Sequence, residues 1–168
     1  AVINSLKRAG ISKVVMMTGD SERTARAVAA QIGVDEYYSE VLPEDKAGFV
    51  EREKAAGRKV IMIGDGINDS PALSAADVGI AISDGAEIAR EIADVTIGAD
   101  NLYEIVTLKA ISNGLMKRIH KNYRSIILVN AGLIALGVTG MIQPTTSALL
   151  HNTSTLVIGL KSMQNLID

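Results

Sequence analysis

The chain has 168 residues, with 17 lysines and arginines against 19 aspartates and glutamates and a formal net charge of −2, a near balance that argues against nucleic acid as a partner. It holds no cysteine and no tryptophan, one phenylalanine and four tyrosines, which excludes a disulfide scaffold, a thiolate nucleophile and cysteine-ligated metal within these residues and leaves little for base stacking. A mean hydropathy of +0.24 is high for a chain lying wholly in water.

In chain order, Ala1 to Leu6 reads as the inside of a helix, with no initiating Met and no leader pattern, so the start is expected to be a cut in a longer chain. Short apolar runs follow at Val14–Met17, Val60–Ile63, Val78–Ile82 and Val95–Ile97, with a weaker one at Tyr37–Ser39. Continuous apolar runs mark strands covered on both faces, the habit of a parallel sheet. Between them Glu22–Ile32, Glu44–Ala56, Pro71–Ala75 and Ala86–Ile92 have crossover-helix patterns. This alternation predicts a doubly wound α/β domain over 1–100.

Beyond residue 100 the pattern changes. Asn101–Tyr123 reads as one polar, basic helix, giving a connecting segment over 101–124. Ser125–Ile142 carries no charge, Gln143-Pro144 breaks it, and Thr145–Leu160 is again uncharged. Over 125–168 this predicts two transmembrane helices joined by a short outer turn. Lys117, Arg118, Lys121 and Arg124 on one flank and Lys161 on the other place both ends in the cytoplasm. A buried helical hairpin in a soluble protein is the competing account.

Three groups of residues carry chemistry. Thr18-Gly19-Asp20 follows the first strand, and ligands bind off the carboxyl ends of strands in such sheets. A Thr hydroxyl there can donate to a phosphate oxygen and Gly19 gives backbone room. Capping of the next helix by Asp20 or Ser21 is an alternative compatible with it. Gly64-Asp65-Gly66-Ile67-Asn68-Asp69-Ser70-Pro71 follows the Val60 strand. Carboxylates packed so closely repel unless a cation sits between them, and Mg²⁺ takes hard oxygen ligands of this kind; an acidic turn that caps the next helix and a dinucleotide site, which lacks its third glycine, are the alternatives. Lys46, after Pro43-Glu44-Asp45, can reach a phosphate as a point charge or stand as an ordinary solvated lysine.

Thr-Gly-Asp after one strand, a lysine after a Pro-Glu step, and Gly64 to Leu73 (Gly-Asp-Gly-Ile-Asn-Asp-Ser-Pro-Ala-Leu) after another together resemble the heavy-metal class of P-type ATPases. The resemblance covers essentially the whole chain. It implies a partial haloacid-dehalogenase-like, Rossmann-like α/β domain, a long helix and a transmembrane hairpin, forming the C-terminal part of an ATP-driven transition-metal pump. By that resemblance Thr18 and Gly19 hold the phosphoryl group and Asp20 organises the phosphorylation loop. Lys46 neutralises charge on the aspartyl phosphate, Asp65 ligates Mg²⁺, and Asn68 and Asp69 complete the phosphate and metal surroundings. The implied cofactors are Mg²⁺, ATP bound mainly by another domain, and a transported metal cation. The implied setting is the plasma (inner) membrane, multi-pass, with the α/β domain cytoplasmic. The implied partners are the rest of the pump, lipid and the metal ion, with no nucleic acid.

The family's nucleophile is the aspartate of an Asp-Lys-Thr-Gly-Thr run, and this sequence has none. The nucleotide-binding domain, the actuator loop and the Cys-Pro-Cys-like motif are also missing, so the chain alone is expected to hydrolyse no ATP. A membrane-anchored regulatory half-protein that complements an N-terminal half is the alternative reading. A soluble phosphatase of the same superfamily would need a nucleophilic aspartate near the start of the domain. In the second apolar stretch His151 shares a helix face with Ser154 and Thr155, and a membrane histidine invites an ion-binding role. Asn130 could contribute from the facing helix. Hydrogen-bonding glue between helices is the competing account, favoured for Asn130, Thr153 and Ser154.

Overall fold

The computed structural model describes residues 1–65, 68–82, 91–98 and 101–166. The chain forms two compact units, Ala1–Thr107 and Leu108–Asp168. The first alternates α1 (Val2–Arg8), β1 (Val15–Met17), α2 (Glu22–Ile32), β2 (Glu36–Tyr38), α3 (Pro43–Ala55), β3 (Ile61–Gly64), α4 (Ser70–Ala75), β4 (Val78–Ile82) and β5 (Val95–Ile97). The helix expected over Ala86–Ile92 lies mostly outside the described residues, as do Gly66 and Ile67. Proline in its first turn, Glu44 and Asp45 beside it and Arg52 and Lys54 in its last turn suit α3 to the helix dipole.

All strand pairs are parallel: Val15 lies opposite Glu36, Ile61 opposite Val78 and Ile80 opposite Val95. They form two sheets, β1-β2 and β3-β4-β5, where the sequence suggested one. The reason is local: no described strand bridges β1 and β3, so among the described residues each has one unpaired edge. Apolar packing joins them instead. Met17 at the end of β1 rests on the buried cluster of Val50, Met62, Ala72 and Leu73, to which β3 contributes Met62.

The amino ends of the strands share a device that apolar patterning does not reveal. Asp35 accepts from the Val14 amide at 2.8 Å, Asp77 from the Val60 amide at 2.9 Å, and Asp94 from the Gly79 amide at 2.8 Å. Each aspartate precedes one strand and ties down its parallel neighbour. Lys7 also reaches Asp35 and Lys59 reaches Asp77. The Lys7 ammonium, then the Val14 amide, hold the Asp35 carboxyl below its usual range; for Asp77 the Val60 amide acts first and Lys59 second. A carboxylate depressed in the folded state stabilises the fold above its unfolded pKa and loses that contribution as pH falls through the folded value. The urea midpoint of the α/β unit is therefore expected to fall below about pH 4, and Asp77→Asn should flatten that fall while lowering the midpoint at neutral pH.

The chain continues through α5 (Tyr103–Val138), which runs uninterrupted past the expected boundary near residue 124, to α6 (Pro144–Ser162). The transmembrane hairpin expected over 125–168 is corrected: among the described residues no helix is long and apolar enough to cross a membrane. Two causes are visible. First, α5 stops at Val138, because Gly140 adopts φ 74° and Met141 donates back to the Leu136 carbonyl at 3.0 Å, a Schellman-type stop. Its uncharged part, 125–138, is then about 21 Å long, short of a hydrocarbon core of about 30 Å. Second, α6 carries His151, Asn152, several hydroxyls and Lys161.

Within this helical unit one cation has a specific structural task. Arg118 donates to the Ser162 carbonyl at 2.8 Å, the Asn165 carbonyl at 2.7 Å and the Gln164 carbonyl, capping the end of α6 from the side of α5. Asn122 adds a bond to the Ser162 hydroxyl at 2.6 Å. Arg118→Ala is expected to lower the stability of the helical unit by about 2 kcal/mol, since it strands carbonyls that a cation had satisfied. Arg118→Lys should recover less than half, lacking the planar fork. Thermal loss of helical circular dichroism in detergent measures both.

Candidate functional site

The site is built at the carboxyl ends of β1 and β3. Leaving β1, the chain turns so that the Thr18 hydroxyl both donates to the Asp20 carboxylate at 3.0 Å and accepts from the Asp20 amide at 3.1 Å. Asp20 thus braces its own loop. By position the cap of α2 is Ser21, whose side chain makes no capping bond. A side chain added at Gly19 would meet only the Val41 carbonyl at 3.8 Å, an ordinary contact, so folding does not demand glycine there.

This loop is stitched to the next one. Val41 donates to the Thr18 carbonyl at 3.0 Å and Glu40, at φ 53°, to the Asp20 carbonyl at 2.9 Å. Glu22 secures the same segment by accepting from the Tyr37 hydroxyl and the Ser39 hydroxyl, each at 2.7 Å. Those donors, Ser39 first and Tyr37 second, keep the Glu22 carboxyl below its usual range. Helix α3 starts directly after this stitched segment, and its first turn presents Lys46.

Lys46 then meets the second motif. Its ammonium lies 2.7 Å from Asp69 Oδ1, with the two side chains only 15% and 12% exposed. Asp69 heads α4, yet it caps no amide with its side chain and takes Lys46 instead. The backbone of β3 makes room for this: a Cβ at Gly64 would sit 2.7 Å from the Asp69 Cβ and closer still to Oδ2. Gly64 therefore admits the Asp69 carboxylate rather than only easing a turn. Asp65 accepts from the Asn68 amide at 3.3 Å and is exposed, as is Asn68. The structure thus joins Lys46 to Asp69, Thr18 to Asp20, and both through the 40–42 segment.

Asp65 and Asp69 carry carboxylate oxygens, the hard donors that Mg²⁺ takes, and Mg²⁺ commonly uses one or two carboxylates, completing its shell with water and phosphate. A three-ligand cluster is not found among the described residues, and this ion does not require one.

Residues 1–77 match the family described as haloacid dehalogenase-like hydrolase. The manganese-exporting P-type ATPase of Mycobacterium leprae (strain TN) is 39% identical over 158 residues, covering 94% of this chain and 22% of that protein. The probable copper-importing P-type ATPase A of Enterococcus hirae is 42% identical over 144 residues, covering 84% and 20%. A crystal structure of a zinc-transporting PIB-type ATPase superposes with a TM-score of 0.85 at 29% identity, over 99% of this chain and 27% of that one. The chain belongs to the heavy-metal P-type ATPases. It spans about a fifth of the length of the curated family members it matches.

A second candidate locus of this P-type ATPase segment lies in its helical unit. His151 Nδ1 and Asn130 Oδ1 are 2.8 Å apart, so the imidazole donates to the amide oxygen. They border an open recess of about 720 Å³ with Ser147, Asn152 and apolar side chains of α5. The hydroxyls grouped with His151 in the sequence do not join it. Ser154 and Thr155 donate to the His151 carbonyl at 2.8 and 3.0 Å, and Thr153 donates to the Leu149 carbonyl, satisfying themselves along their own helix.

Proposed function

We propose that this chain supplies the magnesium- and phosphate-handling side of the phosphorylation site in an ATP-driven transition-metal pump, together with part of its ion pathway. The observation that carries this is the contact between Lys46 and Asp69, which brings the lysine of the Pro-Glu-Asp-Lys run to the aspartate that follows β3, near the carboxyl end of that strand. Phosphoryl transfer needs little covalent help from the protein and depends on positioning and charge stabilisation. When phosphate binds, Thr18 turns its one hydroxyl proton from the Asp20 carboxylate to a phosphoryl oxygen, while the Asp20 amide still donates to that hydroxyl and holds the loop in place. Gly19 leaves that approach clear, a reason for glycine that the fold itself does not supply. Lys46 has three donors, so it can keep Asp69 and also meet a phosphate oxygen. Asp65 and Asp69 hold Mg²⁺, which when bound offsets phosphate charge, and Asn68 completes the polar surround.

The acceptor aspartate is assigned to another part of the pump, on a strand that pairs between β1 and β3. Among the described residues β1 and β3 each keep one edge unpaired, which supports that placement. The α/β unit then faces the cytoplasmic pool of ATP, and the parent resides in a membrane. The helical unit leaves Leu128 70% and Val138 84% exposed, an apolar surface that calls for cover by other helices of the pump. Helix α5 transmits changes at the phosphate site toward the recess, where His151, steadied by Asn130, contacts the transported cation. The relatives compared name manganese and copper and the solved structure names zinc, so the metal itself is left open.

The test uses the parent pump and the chain side by side. In the parent, Lys46→Ala, Asp65→Ala and Asp69→Asn are each expected to reduce metal-stimulated ATP hydrolysis by at least about a hundredfold. The purified chain should release no phosphate from ATP above background. Phosphate release from the chain alone, abolished by Asp65→Ala, would overturn the assignment of the nucleophile to another segment. Unchanged turnover in the parent variants would overturn the site.

A further inference from the structure

Between residues 105 and 167 the sequence has no acidic residue, while it has Lys109, Lys117, Arg118, Lys121, Arg124 and Lys161. Arg118 is committed to the carbonyls at the end of α6, and Lys109 to the Asn113 side chain at 2.9 Å. Of the other four, Lys161 lies in the last turn of α6, and Lys117, Lys121 and Arg124 are spaced on one face of α5. All three are exposed, and among the described residues no carboxylate pairs with them. Together with His120, Ser125 and Leu128 they border an open recess of about 590 Å³. Directly beyond it the helix turns apolar and exposed, at Ile127 and Leu128.

Three uncompensated cations at the edge of an exposed apolar surface are complementary to one kind of molecule, a phosphate head carrying acyl chains, while the Ser125 hydroxyl is already donated to the Lys121 carbonyl at 3.0 Å. We infer that Lys117, Lys121 and Arg124 form a binding site for the phosphate of an anionic glycerophospholipid, with the acyl chains lying along Ile127 and Leu128. A lysine or arginine near an anionic lipid surface strengthens association about fivefold at ordinary ionic strength. An acidic protein would satisfy the charges without using the apolar step, so the lipid is the better fit. This site is separate from the phosphorylation site, and its failure would leave the reading of that site untouched.

The full chain, held in detergent and offered to phosphatidylcholine vesicles with or without about 30 mol % phosphatidylglycerol, gives the test. Partition is expected to favour the anionic vesicles and to weaken with salt. The Lys117→Gln/Lys121→Gln/Arg124→Gln variant should lose about a hundredfold of that preference. Lys117→Arg/Lys121→Arg should keep it, and so should Lys13→Gln, whose cation is paired with Glu36. Circular dichroism checks that the helices persist, since all three positions are exposed. Equal partition into both vesicle types, or an unaffected triple variant, would overturn the inference. So would displacement by equimolar inorganic phosphate or by an acidic polypeptide, because the acyl chains would then contribute nothing.

Discussion

Replacing Lys46 with alanine is expected to destabilise the α/β unit by about 3 kcal/mol, the low end of the loss when one partner of a buried ion pair is removed. The low end applies because the side chains of Lys46 and Asp69 retain 15% and 12% exposure, so some water can still reach the stranded carboxylate. The damage comes from Asp69. Its carboxylate lies over Gly64, where β3 leaves no other side chain, and it has turned away from capping α4. Without the ammonium it is a charge in a confined place. Asp69→Asn should cost less, since an amide tolerates the site uncharged. The double variant should fall well short of the sum, with a coupling above about 1 kcal/mol. Urea unfolding of the four proteins gives these values. A loss under about 0.5 kcal/mol for Lys46→Ala would mean that the pair behaves as an exposed salt bridge.

This pair also marks the limit of what the sequence made legible. Val78–Ile82 and Val95–Ile97 were readable as strands because their apolar runs have no other use in a chain of this pattern, and Pro43 fixed the start of α3 to within a residue. The positions of Thr18–Asp20 and of the motif from Gly64 were legible for the same reason, each following an apolar run. A contact spanning 23 residues, such as that of Lys46 with Asp69, leaves no periodic trace, and Lys46 alone was equally an ordinary helix lysine. The aspartates before β2, β4 and β5 were overlooked because polarity at a strand boundary reads as loop. The signal was nevertheless present in the recurrence of Asp-Val at Asp77-Val78 and Asp94-Val95. Division of the sheet was not legible at all, since strand runs do not say which neighbour is missing.

In the helical unit the sequence misled in a specific way. Counting uncharged residues from Ser125 to Ile142 treated Gly140 as one more apolar-compatible position. The backbone used it as a left-handed stop, and the segment beyond it left the helix. Arg118 was equally hidden, lying in a basic run where Lys117, Lys121 and Arg124 have the same sequence character. Only the geometry separates the cation that caps α6 from the three that remain uncompensated.

Leu73→Ala is expected to cost about 3–4 kcal/mol, and its consequence should reach the phosphate site. Leu73 is 1% exposed and packs with Val50, Met62 and Ala72, so truncation removes buried methyl groups and leaves a cavity beneath α4. That helix has six residues, too few to persist on its own hydrogen bonds. It is held by this apolar face and by the Leu73 amide donating to the Asp69 carbonyl at 2.9 Å. Loosening α4 therefore loosens Asp69, and with it the partner of Lys46. Two measurements separate the effects: urea unfolding for stability, and hydrogen exchange of the α4 amides for local opening. Leu73→Met, which conserves volume, should cost under about 1.5 kcal/mol and leave exchange in α4 near that of the parent. If Leu73→Ala lowered global stability while exchange in α4 rose no more than in β4, the helix would be fixed by something other than its buried face, and Asp69 would not depend on it.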